Sequence, residues 1–243
     1  MLHRSAVSKE DEKYMKKELL IFGSNGALGK GVTRLLKTKD YDKIYLFDFH
    51  LKKENTDPTI VQIKIEDLSN EENIKGAFSH IKSSQDTAFF LFSTIVGFAG
   101  GKKVWETDLG EFEKMINMNL TTSFLIAKYF ALLTKESHSG SICFTAAYTG
   151  LFPESTKAAY GASKGAMIHL VKSLAEEGNE INLSVNAIAP YIIDTPANRE
   201  WMKDADFENW MKPEEIGELI YSLFNNYNFV TGNIIRLRNR FSL

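Results

Sequence analysis

The 243-residue chain is 44% hydrophobic and 25% charged, with 29 Lys and Arg against 31 Asp and Glu, a net charge of −2. Those proportions exclude a largely disordered chain, and the charge balance supplies no field for nucleic acid. Cys143 is the lone cysteine, so no internal disulfide is possible, and no apolar run reaches the roughly 18 residues of a membrane span. A cytoplasmic protein without nucleic-acid or membrane partners is expected, folded as one domain.

Residues 1–18 are polar, carry Lys9-Glu10-Asp11-Glu12-Lys13 and lack apolar periodicity, so they read as a solvated arm ahead of a single domain over 19–243. A first strand, 19–22, runs into Gly23-Ser24-Asn25-Gly26-Ala27-Leu28-Gly29 and a helix over 27–37. In such a turn, backbone N–H groups and the helix dipole can receive a pyrophosphate. The spacing G-x-x-G-x-x-G departs from the dinucleotide fingerprint, and by itself a plain strand-to-helix turn is an equal reading. The second strand, 43–47, ends at Asp48, 25 residues after Gly23. A carboxylate there can accept from both adenosine ribose hydroxyls and would repel a 2′-phosphate, which favours NADH over NADPH.

A strand over 59–65, a helix over 71–82 and a strand over 87–93 follow; the apolar stretch Ala88–Gly101 reads as a buried strand with its exit loop. The helix 111–135 is apolar around most of its circumference, with Phe112, Met115, Leu120, Phe124, Leu125, Tyr129, Phe130 and Leu133. It is either covered by its own chain or shared with a second subunit; the second reading is preferred, so a homodimer is expected through this helix and helix 157–177.

After a strand at 141–145, Tyr160 and Lys164 stand four apart on helix 157–177, on one face, with Gly178 as an expected left-handed cap. An ammonium beside a phenol favours phenolate and should lower the tyrosine pKa toward working pH, which suits a proton donor. A strand at 183–188 precedes the segment Tyr191–Met211, long and polar with Trp201, Phe207 and Trp210; it reads as a lid over a flat ring in preference to a surface loop that its aromatics only anchor. Helix 213–225 and strand 233–237 close the chain; Arg236, Arg238 and Arg240 read as one solvated strand face. The five histidines are never closer than 30 residues apart, and no metal site is expected. Seven strands alternating with helices specify an α/β, doubly wound, mostly parallel sheet with helices on both faces.

Over residues 19–243 the chain resembles the short-chain dehydrogenase/reductase family. The matching residues are the glycine turn, Asp48, Asp67, Met118-Asn119-Leu120, Tyr160-Gly161-Ala162-Ser163-Lys164, Asn186-Ala187-Ile188-Ala189-Pro190 and Thr195. The resemblance implies a Rossmann-type domain binding NAD(P)H through Gly23, Asn25, Gly26, Ala27, Leu28, Gly29, Asp48, Asp67, Lys164, Pro190 and Thr195. It makes Tyr160 the general acid, Lys164 the group that holds the nicotinamide ribose and tunes the tyrosine, and Asn119 the carrier of a water relay. Asp67 would contact adenine and Thr195 the carboxamide. The family's serine, thirteen residues before the tyrosine, is here Ala147. Losing a donor to the carbonyl oxygen costs roughly 10²–10³ in rate, so the substrate must accept hydride readily, or Thr145, Tyr148 or Thr149 must stand in.

Within that family the chain is similar to the dihydropteridine reductase branch, through Gly26-Ala27-Leu28-Gly29, Gly97-Phe98-Ala99-Gly100-Gly101, and Asp194–Arg199 followed by Ala205-Asp206-Phe207 and Trp210. Phe98 stands where that branch is expected to carry tryptophan, and Asn119 fits the wider family better. The branch implies reduction of quinonoid dihydropterin, with Phe98, Ala147, Tyr160 and Trp201 at the substrate. A general carbonyl or quinone reductase, or a non-catalytic dinucleotide-sensing protein, are the alternatives.

Overall fold

The computed structural model describes residues 15–51 and 55–241. Seven parallel strands form one sheet in the order β3-β2-β1-β4-β5-β6-β7: β1 Lys16–Phe22, β2 Lys43–Asp48, β3 Ile60–Lys64, β4 Thr87–Ser93, β5 Ser139–Thr145, β6 Leu183–Pro190 and β7 Ile234–Leu237. Helices cover both faces, the doubly wound α/β architecture that alternating strand and helix patterns specify. The first crossovers run outward from β1 through β2 to β3, and the next reverses to β4. This reversal leaves a crevice at the carboxyl ends of β1 and β4, where ligands of open α/β sheets bind.

Helices α1 (Ala27–Leu36) and α8 (Pro213–Asn225) pack on one face. They approach so closely that a Cβ on Gly217 would lie 2.7 Å from the Leu35 side chain. On the other face lie α2 (Glu71–Phe78), α4 (Thr122–Lys135) and α6 (Ala158–Gly178). There Phe22 stacks on Phe47 at 4.3 Å and on Phe78 at 5.7 Å, joining β1, β2 and α2 into one aromatic layer. Each fully buried phenylalanine contributes about 1.5–3 kcal/mol of hydrophobic stabilisation. All seven residues of β4 are buried, which explains its unbroken apolar sequence.

Several boundaries differ from the expected ones. β1 begins at Lys16, inside the expected arm 1–18, because its polar start is pinned by Asp42, which accepts from the Lys17 N–H at 2.8 Å, and by an Asp40–Lys17 ion pair. The arm's residues 1–14 lie outside the described residues. Helix α2 stops at Phe78. The expected helix 111–135 is three pieces: α3 (Leu109–Met115), a π-helical turn (Ile116–Thr121) and α4. Gly178 is not a left-handed cap: its φ is −60°, and the left-handed residue is Asn182 at φ 55°. Glycine stands at 178 because any Cβ would collide with the Leu183 carbonyl oxygen.

Candidate active site

The glycine turn is built for close approach. Gly23 has φ +78°, and a Cβ there would lie 2.5 Å from Thr94 Oγ1; a Cβ on Gly29 would strike the Gly23 carbonyl oxygen. Gly26 is the N-cap of α1, with no side-chain cap and no acidic residue in the first turn. The first-turn N–H groups of α1 are therefore available to a pyrophosphate. Asp48, at the tip of β2, fixes this turn from the side: Oδ2 accepts from the Asn25 N–H at 2.8 Å and Oδ1 from the His50 N–H at 3.0 Å. Each oxygen keeps a lone pair for a ribose hydroxyl. Asn25 in turn donates to the His50 carbonyl at 2.6 Å. These residues fit a dinucleotide. Asp67 stands apart from them, its carboxylate accepting from the Ser69 N–H and hydroxyl at 2.9 and 2.7 Å, which holds it below the usual carboxylate range.

At the other end of the crevice the π turn swings Asn119 inward. Asn119 Oδ1 accepts from the Gly97 N–H at 2.9 Å, while its Nδ2 donates to the Gly97 carbonyl at 2.9 Å and to Ser163 Oγ at 3.0 Å. Ser163 Oγ donates to the Tyr160 carbonyl at 2.8 Å, so one amide ties the loop after β4 to the tyrosine helix. π turns occur mostly at such functional positions. The Asn119 side chain is thereby engaged with protein, and its main-chain carbonyl accepts from the Ser123 hydroxyl at 2.6 Å.

Tyr160 and Lys164 share a face of α6, both buried. Tyr160 packs with Met115, Ala147 and Ala159, and Lys164 Nζ donates to the Thr145 carbonyl at 2.7 Å. The expected lowering of the tyrosine pKa is not found. Burial, with the Glu154 carboxylate adding to it, pushes the Tyr160 phenol upward, and burial alone brings Lys164 down to about 7. Desolvation penalises the charged form of each group. A phenol held protonated remains competent to donate.

Buried Lys164 carries a stability cost with a defined sign. Between about 7 and 10.5 the unfolded chain holds one proton more at this position than the folded one, so its contribution to stability improves as pH rises through that window and is most unfavourable below it. Lys164→Met is expected to raise Tm at neutral pH by at least about 3 °C while abolishing turnover, checked by thermal unfolding beside an activity assay.

Two of the three proposed substitutes for the missing serine are already committed. The Thr145 hydroxyl donates to the Ser93 carbonyl at 2.8 Å, and the Thr149 hydroxyl donates to Glu154. Tyr148 opens the short helix α5 (Tyr148–Leu151), its ring set against Tyr191 at 5.1 Å and Phe152 at 4.8 Å. Phe98 presents its ring edge-on to Tyr160 at 5.1 Å and lies 6.2 Å from Trp201, which is 66% exposed on α7 (Pro196–Trp201). Thr195 caps α7 by accepting from the Asn198 N–H at 3.2 Å, which leaves its hydroxyl proton to donate. Pro190 ends β6 at the same edge of the sheet.

The segment 191–211 divides in two. Trp210 is fully buried, and Phe207 packs edge-to-face with it at 4.8 Å beneath the Arg199 guanidinium, so these two rings anchor the segment and only Trp201 faces Phe98. The C-terminal arginines are exposed, as expected, but they do not share one strand face, because β7 ends at Leu237. Arg236 lies over the Phe152 ring at 5.6 Å, and Arg240 donates to the Glu208 and Trp210 carbonyls and pairs with Glu215. The alternating spacing concealed this anchor of the segment 191–211.

A family model described as enoyl-(acyl carrier protein) reductase matches residues 28–237. Dihydropteridine reductase of Dictyostelium discoideum is 32% identical over 214 residues, 87% of this chain and 89% of that protein. Carbonyl reductase family member 4 of Xenopus laevis is 25% identical over 91% of this chain and 96% of its own. Among solved structures, ElxO with NADP bound superposes with a TM-score of 0.78 at 23% identity, covering 92% of this chain and 97% of that one. The glycine cradle, the Tyr160/Lys164 face and these matches lead to one conclusion: the chain belongs to the short-chain dehydrogenase/reductase family of NAD(P)-dependent oxidoreductases.

Proposed function

We propose that the protein is an NADH-dependent reductase that converts quinonoid dihydropterin to tetrahydropterin. The observation that carries this reading is the aromatic cluster of Phe98, Tyr160 and Trp201, with Tyr160 packed beside Ala147. A flat ring suits such a cluster, and a quinonoid ring accepts hydride without a serine donor at its oxygen. The similarity to the Dictyostelium dihydropteridine reductase supports it. When bound, NADH would supply a hydride from C4 of its nicotinamide. Tyr160 would supply the matching proton from its hydroxyl, Lys164, kept in place by the Thr145 carbonyl, would hold the nicotinamide ribose, and Phe98 and Trp201 would exclude water from the ring. The similarity to a carbonyl reductase favours a second reading, a general carbonyl or quinone reductase. NADH oxidation with quinonoid dihydropterin generated in situ, beside a panel of simple ketones and quinones, separates the two. Turnover of the pterin at a rate no better than that of the ketones would reject the first.

NADH is preferred because Asp48 is braced by two main-chain N–H groups at the ribose end, where its charge opposes a 2′-phosphate. Asp48→Asn is expected to shift the ratio of kcat/KM for NADH over NADPH toward NADPH by at least about tenfold, and an unchanged ratio would refute this role.

The protein is proposed to form a homodimer through α4 and α6. Phe124 and Leu132 are half-exposed on α4, and α6 offers the small residues Ala162 and Ala166 for close approach. Phe124→Glu is expected to yield monomers by light scattering; a wild-type particle that is already monomeric would sink the proposal. No helix among the described residues is long and apolar enough to cross a membrane.

A further inference from the structure

We infer that Thr156 is a positioning residue whose left-handed turn locks the loop 97–101 onto the tyrosine helix and so fixes the tilt of Phe98; this rests on the reading of Phe98 as a substrate contact. Thr156 has φ 64°, and among the described non-glycine residues only Asn182 shares a positive φ. A β-branched residue there is crowded between its Cβ and the backbone, and such strain persists only where the surroundings over-determine it. Here they do. The Thr156 carbonyl accepts from the Gly101 N–H at 2.9 Å, and its hydroxyl donates to the Ser155 carbonyl at 2.6 Å.

The loop has been shaped to meet that carbonyl. Gly101 sits at φ 102°, and a Cβ on Gly100 would lie 3.1 Å from Phe98 Cζ, 3.3 Å from the Thr156 oxygen and 3.5 Å from Lys157 Cγ. At its other end the loop is pinned by Asn119, which bonds both the N–H and the carbonyl of Gly97. Between the two clamps stands Phe98, 53% exposed, its edge against Tyr160. The Asn119 clamp sets where the loop leaves the sheet. The Thr156 clamp, four residues before Tyr160, sets how far its crest leans over the proton donor. A right-handed residue at 156 would turn the carbonyl away from Gly101 and release the crest.

Three variants test this with NADH and quinonoid dihydropterin, beside Phe98→Ala. Thr156→Pro forbids a positive φ, Gly100→Val drives a side chain into the Phe98 ring, and Thr156→Gly keeps the turn without strain. The first two are expected to raise KM for the pterin at least about tenfold, with kcat changed less than about threefold and NADH affinity within about twofold. Thr156→Gly is expected to stay within about twofold of wild type throughout. Thr156→Pro should add less than about twofold to Phe98→Ala in the double variant, because the clamp acts through that ring. Folded Thr156→Pro and Gly100→Val proteins with wild-type KM, where Phe98→Ala raises it, would overturn the inference; so would full additivity in the double variant. A Phe98→Ala protein with unchanged KM would instead bring down the ring-binding reading, and this inference with it. Should Thr156→Pro not fold, Gly100→Val carries the same comparison.

Discussion

Tyr160→Phe is expected to lower kcat with quinonoid dihydropterin by roughly 10³, within the range general acid catalysis commands, while NADH affinity stays within about twofold. The substitution removes one hydroxyl and keeps the ring, which Met115, Ala147, Ala159 and the edge of Phe98 continue to hold. Lys164 keeps its bond to the Thr145 carbonyl, so the group proposed to hold the ribose does not move. A donor must also carry its proton. Burial and the Glu154 charge keep the Tyr160 phenol protonated above its ordinary pKa of 10, so no loss of wild-type turnover through this group is expected as pH rises across the neutral range. Stopped-flow turnover and nucleotide fluorescence titration measure the two halves separately. A variant that retains more than about a tenth of wild-type turnover would remove Tyr160 from the proton path; one that loses NADH affinity as well would make it a cofactor residue.

What the sequence disclosed and what it hid divide along a physical line. All seven strands were legible, and the central ones most plainly, because strands buried on both faces read as near-continuous apolar runs, as in β4, β5 and β6. The start of β1 escaped notice since Lys16, Lys17 and Glu18 are polar, and their pairing partners, such as Asp42, lie far along the chain. The glycine turn, Asp48 and the Tyr160/Lys164 pair are local patterns, and the structure sets each where its spacing indicated. Commitments between distant segments were invisible. Nothing local announces the π turn at Ile116–Thr121, whose Asn119 bonds Gly97 and Ser163 across the site. Likewise the hydroxyls of Thr145 and Thr149 resembled free donors until Ser93 and Glu154 were seen to accept from them. The direction of the tyrosine pKa depended on burial, which a four-residue spacing does not encode.

With those two threonines engaged, the proposed function makes position 147 the determinant of which carbonyls can be reduced. Ala147→Ser is expected to raise kcat/KM for a simple cyclic ketone by roughly 10², the lower end of what one oxyanion donor is worth, and to leave the quinonoid pterin within about threefold. Ala147 is buried against Tyr160 and is the N-cap of α5 in extended conformation. A serine there can accept from an N–H of the next turn, as N-cap residues do, while its own proton points away to a carbonyl oxygen. The added atom is small, so the cost in packing is slight beside a ketone that gains its missing donor. The pterin gains little, because its quinonoid ring is already disposed to accept hydride. Steady-state assays of wild type and variant on both substrates decide the matter. A folded variant that stays inert to the ketone would mean that position 147 does not face the reacting oxygen, and a wild type that already reduces the ketone as fast as the pterin would give the site to the general reductase.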